Sequence, residues 1–165
     1  MATLEQKIDI ILDWIANNDP EYDLSIRMRI REALAVASGG VGVYDGADVD
    51  DMILDLFKDL GAPGNLKGYT YAIAAVKIVL VDPSSINAIK KDIYATIASR
   101  YNVPIPRIER AIRTLTDRIL DHGNNKIVQD ILGNIVSMKT GNMANGTFIA
   151  ACAQEIRRRM KRRGF

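Results

Sequence analysis

The segment 93–113, IYATIASRYNVPIPRIERAIR, constrains the fold of this chain more than any other, because it has the pattern of two helices joined by a tight turn. Ile93, Ile97 and Tyr101 recur at four-residue spacing, which predicts a helix with one apolar stripe. Asn102 follows at the point where such a turn needs a residue that tolerates positive φ. We therefore expect the first helix to end at Asn102.

The second helix of the pair is predicted to begin at Pro104, whose ring fixes φ at a value suited to a first helical turn. Its buried positions continue at helical spacing through Ile108, Ala111 and Ile112. Its outward positions are charged: Arg107, Glu109, Arg110 and Arg113. A charged face on the second helix is typical of a helix-turn-helix protein that places this helix in the major groove of DNA.

These four charged residues, here called the reading face, are chemically suited to contacting bases. Arginine donates two parallel hydrogen bonds to guanine O6 and N7, and glutamate accepts a hydrogen bond from cytosine N4. The pattern therefore predicts base reading by Arg107, Glu109, Arg110 and Arg113. The alternative is a solvated amphipathic helix, in which Glu109 pairs with Arg113 four residues later.

The same region resembles a known family, the DNA-binding effector domain of the stage-zero sporulation response regulator. The closest similarity is RIERAIR at 107–113. Further similarity lies in LGAPGNLKGYTY at 60–71, in IVSM at 135–138, and at 145–148. Together these segments span about residues 50–162, so the resemblance covers the second part of the chain and not only a common motif.

The resemblance implies an all-helical domain of about six helices that binds short DNA boxes, often as head-to-tail copies, and contacts a sigma subunit of RNA polymerase. By position, it also implies that the residues of the reading face enter the groove. The chain departs from the family pattern at 103–106, Val-Pro-Ile-Pro, where the family usually has hydroxyl and small residues. It departs again at 139–146, which contains fewer lysines than the family's loop.

The part that precedes the resemblance, about 45 residues, is too short for the receiver domain that family members normally carry. Its pattern predicts two helices, and GGVGVYDG at 39–46 predicts a linker. We therefore expect an acidic helical extension at 1–46 and a helix-turn-helix effector domain at 47–165. The second helix of this extension is apolar on more than one face, so it needs either two neighbours within the monomer or a partner chain. We favour the partner chain, which makes the extension a dimerisation element and the protein a homodimer.

Charge is divided unequally along the chain. Residues 1–63 contain 5 basic and 13 acidic residues, whereas residues 64–165 contain 17 basic and 7 acidic residues. The basic charge therefore lies where phosphate neutralisation would need it, and the acidic part is either a solvated face or a shield of the basic surface. The candidate phosphate contacts are Lys67, Arg100, Lys139, Arg157 and Arg158.

The remaining apolar periodicity predicts further helices at 48–60, 69–81, 126–132 and 145–162. The segment 69–81 is apolar nearly all round, which is typical of a central core helix. The expected fold class is therefore all-α: a bundle of about six helices that contains the helix-turn-helix.

The sequence predicts no catalytic, metal or cofactor site. His122 is the only histidine, so the chain cannot form a histidine-based triad or a multi-histidine metal site. Cys152 stands among apolar residues and is expected to be a buried small hydrophobe. The absence of a long apolar run and of a secretory leader favours a cytoplasmic protein without a membrane anchor.

Two functions fit these observations. The first is a sequence-specific, DNA-binding transcription regulator that is not an enzyme. The alternative is a protein-interaction module that pairs with a related regulator or with RNA polymerase and does not itself bind DNA. The missing hydroxyl residues at 103–106 favour the alternative, whereas the reading face favours the first.

Overall fold

The computed structural model describes residues 7, 10–11, 46–133 and 143–163. Within 46–133 and 143–163 the chain forms six α-helices, with a 3₁₀ helix and a π-helix between the second and third, and no strand. In chain order the elements are α1 (Gly46–Asp59), α2 (Lys67–Val81), the 3₁₀ helix (Pro83–Ala88), the π-helix (Ile89–Tyr94), α3 (Ala95–Tyr101), α4 (Ile105–His122), α5 (Asn125–Leu132) and α6 (Asn145–Arg162). The predicted all-α fold of about six helices is confirmed.

The six helices belong to one compact unit, Asp45–Phe165. Three features of the sequence fall outside the described residues: most of the extension at 1–46, the segment 135–138, and Lys139. The boundary at 46–47 and the dimerisation element therefore stay predictions.

Helix α2 lies at the centre of the bundle because almost every face of it is apolar. Nine of its residues are buried, and it packs mainly against α4 and α6. Lys77 is the one charge in the interior of this helix, and its Nζ lies 2.6 Å from Oδ1 of Asp50 on α1. The central core helix predicted from the sequence is present.

Helix α1 contributes large side chains to the core and ends in a turn that requires glycine. Phe57 is fully buried and makes ring contacts with Tyr69 on α2 and Phe148 on α6, at centroid distances of 5.4 and 6.1 Å. After the helix, Gly61 has φ +74°, and a Cβ there would lie 3.1 Å from the Cα of Gly123. Glycine therefore satisfies both the backbone angle and the close approach.

The turn between α3 and α4 has the conformation predicted from the sequence. Asn102 adopts φ +50° and ψ +51°, in the left-handed region. The Val103 backbone N–H donates to the Ala98 carbonyl at 3.1 Å, which closes the end of α3. Pro104 stands at the N-cap of α4, where its missing N–H leaves no hydrogen bond unmade.

The chain before α3 forms a 3₁₀ helix and a π-helix, which the sequence pattern does not predict. The 3₁₀ helix begins after Asp82, whose carboxylate Oδ1 accepts from the Ser84 backbone N–H at 3.0 Å. The π-helix then continues directly into α3, and Ile93 and Tyr94 from it are buried. The apolar stripe of α3, which the sequence predicted to start at Ile93, thus begins inside the π-helix.

Helix α6 has the bounds predicted from the sequence and is fixed at its C-terminal end by ion pairs. The Arg159 guanidinium donates to Asp59 at the end of α1, at 2.8 Å, and to Glu155 one turn earlier, at 3.1 Å. Glu155 is 7% exposed, and its carboxylate is compensated by Arg159 together with Arg158, whose guanidinium lies 3.2 Å away. Cys152 is fully buried on the same helix, as expected.

Candidate nucleic-acid interface

Helix α4 has one face in the core and an opposite face in solvent. The inner face is formed by Ile108, Ile112, Leu115 and Ile119, each 0% exposed. Arg107, Arg110 and Arg113 are all exposed on the outside. The chain therefore presents three guanidinium groups on a helix that its own core holds in place.

Glu109 and Ala111 lie at the two borders of this exposed face. They are two residues apart and therefore about 160° apart around the helix. Both are half-buried, between the apolar inner face and the arginines. The structure thus brings together the four residues of the reading face, with Glu109 at its edge rather than its centre.

The border at Ala111 is packed against the start of α2. A Cβ on Gly68 would lie 2.0 Å from the Ala111 carbonyl oxygen and 3.1 Å from the Leu115 Cβ. Only glycine permits the two helices to cross this closely. The neighbour of Gly68 at this crossing is Lys67, which is exposed.

The border at Glu109 is held by a buried polar contact. The side-chain amide of Asn145, at the start of α6, donates to the Glu109 carbonyl at 2.9 Å and to the Tyr94 hydroxyl at 3.1 Å. Asn145 is 4% exposed and Tyr94 is 2% exposed. Among the described residues, the Asn145 Oδ1 atom has no hydrogen-bond partner. One amide therefore ties α4 to both α6 and the π-helix.

The pKa of the Tyr94 hydroxyl is shifted in the direction expected for a buried group. Burial raises the pKa of the Tyr94 hydroxyl above its ordinary value of 10.0, and the hydrogen bond from Asn145 partly offsets this. The charges of Glu109 and Arg113 also act on the same hydroxyl, with opposite signs. The hydroxyl therefore remains protonated at neutral pH and lies close behind the reading face.

The π-helix also brings a cation to Glu109 that the sequence analysis missed. Lys90 Nζ lies 4.0 Å from Glu109 Oε2, with the two side chains 73% and 38% exposed. The two residues are 19 positions apart in the chain, and no helical spacing links them. The contact depends on the π-helix and the Asn145 bridge, neither of which periodicity predicts.

The candidate phosphate contacts are not all near the reading face. Arg100 is exposed near the end of α3, five residues before α4 begins. Arg157 and Arg158 lie on α6, at least 12 residues and about 18 Å along the helix from Asn145. Arg157 donates to the Val79 carbonyl at 2.8 Å, and Arg158 donates to Glu155 at 3.2 Å. The two α6 arginines therefore lie away from the contact between Asn145 and Glu109 at the edge of the reading face.

The described residues contain neither a metal-binding cluster nor a membrane-spanning helix. In those ranges no group of three or more His, Cys, Asp or Glu side chains is arranged to hold a metal ion. None of the helices seen there has the length and apolar character needed to cross a membrane. His122 is an exposed residue at the end of α4.

Comparison with known families agrees with the geometry. A family model described as "Sporulation initiation factor Spo0A C terminal" matches residues 53–156, well over half of the chain. The match includes all of α2 to α5, the second half of α1 and most of α6. This is a family of DNA-binding regulatory domains and not an enzyme family. The chain therefore belongs to the Spo0A C-terminal family of DNA-binding sporulation regulators.

Proposed function

We propose that this protein is a sequence-specific transcription regulator that inserts α4 into the major groove of duplex DNA. Arg107, Glu109, Arg110 and Arg113 contact base edges in this proposal. The observation that carries it is the exposure of three arginines on the outer face of a helix whose inner face is locked in the core.

The dimensions of α4 suit this role. An α-helix is about 10–12 Å in diameter with its side chains, and the major groove is about 12 Å wide. Arg107 and Arg110 are three residues apart, a rise of about 4.5 Å along the helix, which exceeds the spacing of about 3.4 Å between neighbouring base pairs. Each arginine can therefore meet a different guanine, while Glu109 accepts from a cytosine amine.

Phosphate contacts fix such a helix in the groove without reading sequence. We assign this role first to Lys67, which the Gly68 crossing holds beside α4, and to Arg100 near the end of α3. The first helix of a helix-turn-helix crosses the DNA backbone, which suits Arg100. Lys139, Arg157 and Arg158 are proposed as outer contacts, on phosphates beyond the bases that α4 reads.

We also propose that two copies bind neighbouring boxes and that the bound protein contacts a sigma subunit of RNA polymerase. The support for both is membership of the family, together with the resemblance noted above. Sedimentation with and without a two-box duplex tests the pairing, because a single copy per duplex at saturation would contradict it.

The division of roles is tested by two variants that each remove one positive charge. On a duplex that carries the selected motif, Arg110→Ala should weaken binding by about 5- to 150-fold, the equivalent of roughly 1–3 kcal/mol for one bidentate contact. The same variant should bind a scrambled duplex nearly as well as the unaltered protein does.

Lys67→Ala serves as the control for charge. It should weaken binding to both duplexes by a similar factor and lower the slope of log affinity against log salt by about 1. Equal effects of the two variants on both duplexes would refute the proposed roles. Binding to a regulator or to RNA polymerase, with no DNA binding at low salt, would favour the interaction-module alternative.

A further inference from the structure

Glu109 poses an electrostatic problem for a helix that enters DNA. Its carboxylate has to approach a groove lined by phosphates, where an uncompensated negative charge is repelled. The arginines of α4 are committed to bases in the proposed function. A cation from another element therefore has to offset this charge if Glu109 is to read a base.

Lys90 is placed to supply that cation. Its Nζ is 4.0 Å from Glu109 Oε2, and both side chains reach solvent at the edge of the reading face. Lys67 is the neighbour of Gly68, which packs against Ala111 at the opposite border of α4. Of these two lysines, Lys90 is the one paired with the carboxylate.

The position of Lys90 is built into the core and does not depend only on a long side chain. It belongs to the π-helix, whose Ile93 and Tyr94 are 0% and 2% exposed. Asn145 joins Tyr94 to the Glu109 carbonyl, with donor–acceptor distances of 3.1 and 2.9 Å. The backbones that carry Lys90 and Glu109 are thus fixed relative to each other by a buried bridge. Single π-helical turns frequently occur at functional sites.

We propose that Lys90 is a specificity-determining residue that acts through Glu109. It neutralises the carboxylate as α4 enters the groove and keeps it directed at a cytosine amine. Docking removes water from the pair, so the attraction strengthens in the complex. This proposal rests on the proposed function, because it concerns the base that Glu109 reads.

The test is a double-mutant cycle with a matched control. Lys90→Ala, Glu109→Gln and the double variant are compared in binding to the selected duplex and to one in which the cytosine that Glu109 reads is replaced. Gln keeps the shape of the side chain and an acceptor oxygen but removes the charge. Lys91→Ala removes the same charge from the next residue, which is also exposed.

We expect Lys90→Ala to weaken binding to the selected duplex by roughly fivefold, a typical upper value for an exposed ion pair. The loss should exceed that of Lys91→Ala and should be smaller on the duplex that lacks the cytosine. In the Glu109→Gln background, Lys90→Ala should have little effect, because the charge that it balances is gone.

The proposal is overturned if Lys90→Ala has the same effect in both backgrounds. It is also overturned if Lys90→Ala and Lys91→Ala weaken binding to both duplexes equally and lower the salt slope, which is the behaviour of a phosphate contact alone. If the unaltered protein does not distinguish the two duplexes, the proposed function fails and this proposal fails with it. If it does distinguish them and the cycle is additive, only the role of Lys90 fails. Lys90 is 73% exposed, so its substitution should leave the fold intact, which far-UV circular dichroism verifies.

Discussion

Replacing Gly68 with alanine should loosen the packing of α2 against the reader helix. An added Cβ would lie 2.0 Å from the Ala111 carbonyl oxygen and 2.6 Å from the Ala111 carbonyl carbon. Such contacts essentially never fall below about 3 Å, so the helices must separate by about 1 Å. The facing atoms are backbone, and no rotation of a side chain can relieve the clash.

The free-energy cost of that separation is the difference between two opposing effects. Overpacking of a core by one methyl group costs about 1–3 kcal/mol, and a clash with rigid backbone belongs at the upper end. Alanine is favoured over glycine in a helix by up to about 1 kcal/mol, which is too little to reverse the sign. We therefore expect the free energy of unfolding to fall by about 2–3 kcal/mol and the Tm by roughly 4–12 °C.

Urea unfolding followed by circular dichroism at 222 nm measures this change. Gly64→Ala is the matched control, because a Cβ there would meet no atom within 4 Å. It should alter the free energy of unfolding by less than about 0.5 kcal/mol. If Gly68→Ala were as stable as Gly64→Ala, the close crossing of α2 and α4 would be refuted.

Three further predictions concern buried polar groups. Arg159→Met should lower the free energy of unfolding by about 1–2 kcal/mol, because it removes one of the two arginine partners of the buried Glu155 carboxylate and the pairing with Asp59. Arg162→Met, at an exposed position, should be nearly neutral in the same urea experiment. Burial raises the pKa of the Cys152 thiol, so a thiol reagent should modify the native protein only at the rate at which it unfolds, and fast modification would contradict the buried placement. Folding raises the pKa of the Tyr94 hydroxyl above 10.0, so the native state holds that proton more tightly than the unfolded state does. The resulting contribution to folding stability is complete below pH 10 and is lost as pH rises through the folded pKa. Tyr94→Phe should therefore reduce the loss of folding stability at alkaline pH.

Local features of the fold could be predicted because neighbouring residues determine them. The bounds of α6 follow from an apolar stripe, and the positive φ of Asn102 follows from the need of a turn for a residue that tolerates it. The exposure of Arg107, Arg110 and Arg113 follows from their spacing against buried positions of the same helix. Each of these features depends on residues within one or two helical turns, so it can be predicted from the sequence alone.

Contacts between distant segments could not be predicted. The Asn145 amide meets the Glu109 carbonyl across 36 residues, and Arg157 meets the Val79 carbonyl across 78 residues. A backbone carbonyl that accepts such a hydrogen bond cannot be identified from the amino-acid sequence, because every residue has a backbone carbonyl. The resemblance included Asn145 but gave no reason for it, and the buried bridge now supplies that reason.

The π-helix was missed because its pattern is too short to be recognised. It covers six residues, and its two buried side chains fit equally well into the first turn of a longer α-helix. The π-helix nevertheless affects the reading face directly, because it carries Lys90, which pairs with Glu109.

The most direct measurement of the central claim is selection of bound duplexes from a random DNA pool by the full chain. The unaltered protein, Arg110→Ala and Glu109→Ala are each carried through the same selection. Direct reading by α4 predicts a short motif with a G·C pair, and each variant should lose its preference at one position while keeping it elsewhere. Recovery of no motif by the unaltered protein, with binding only at low salt, would contradict sequence-specific recognition by this helix.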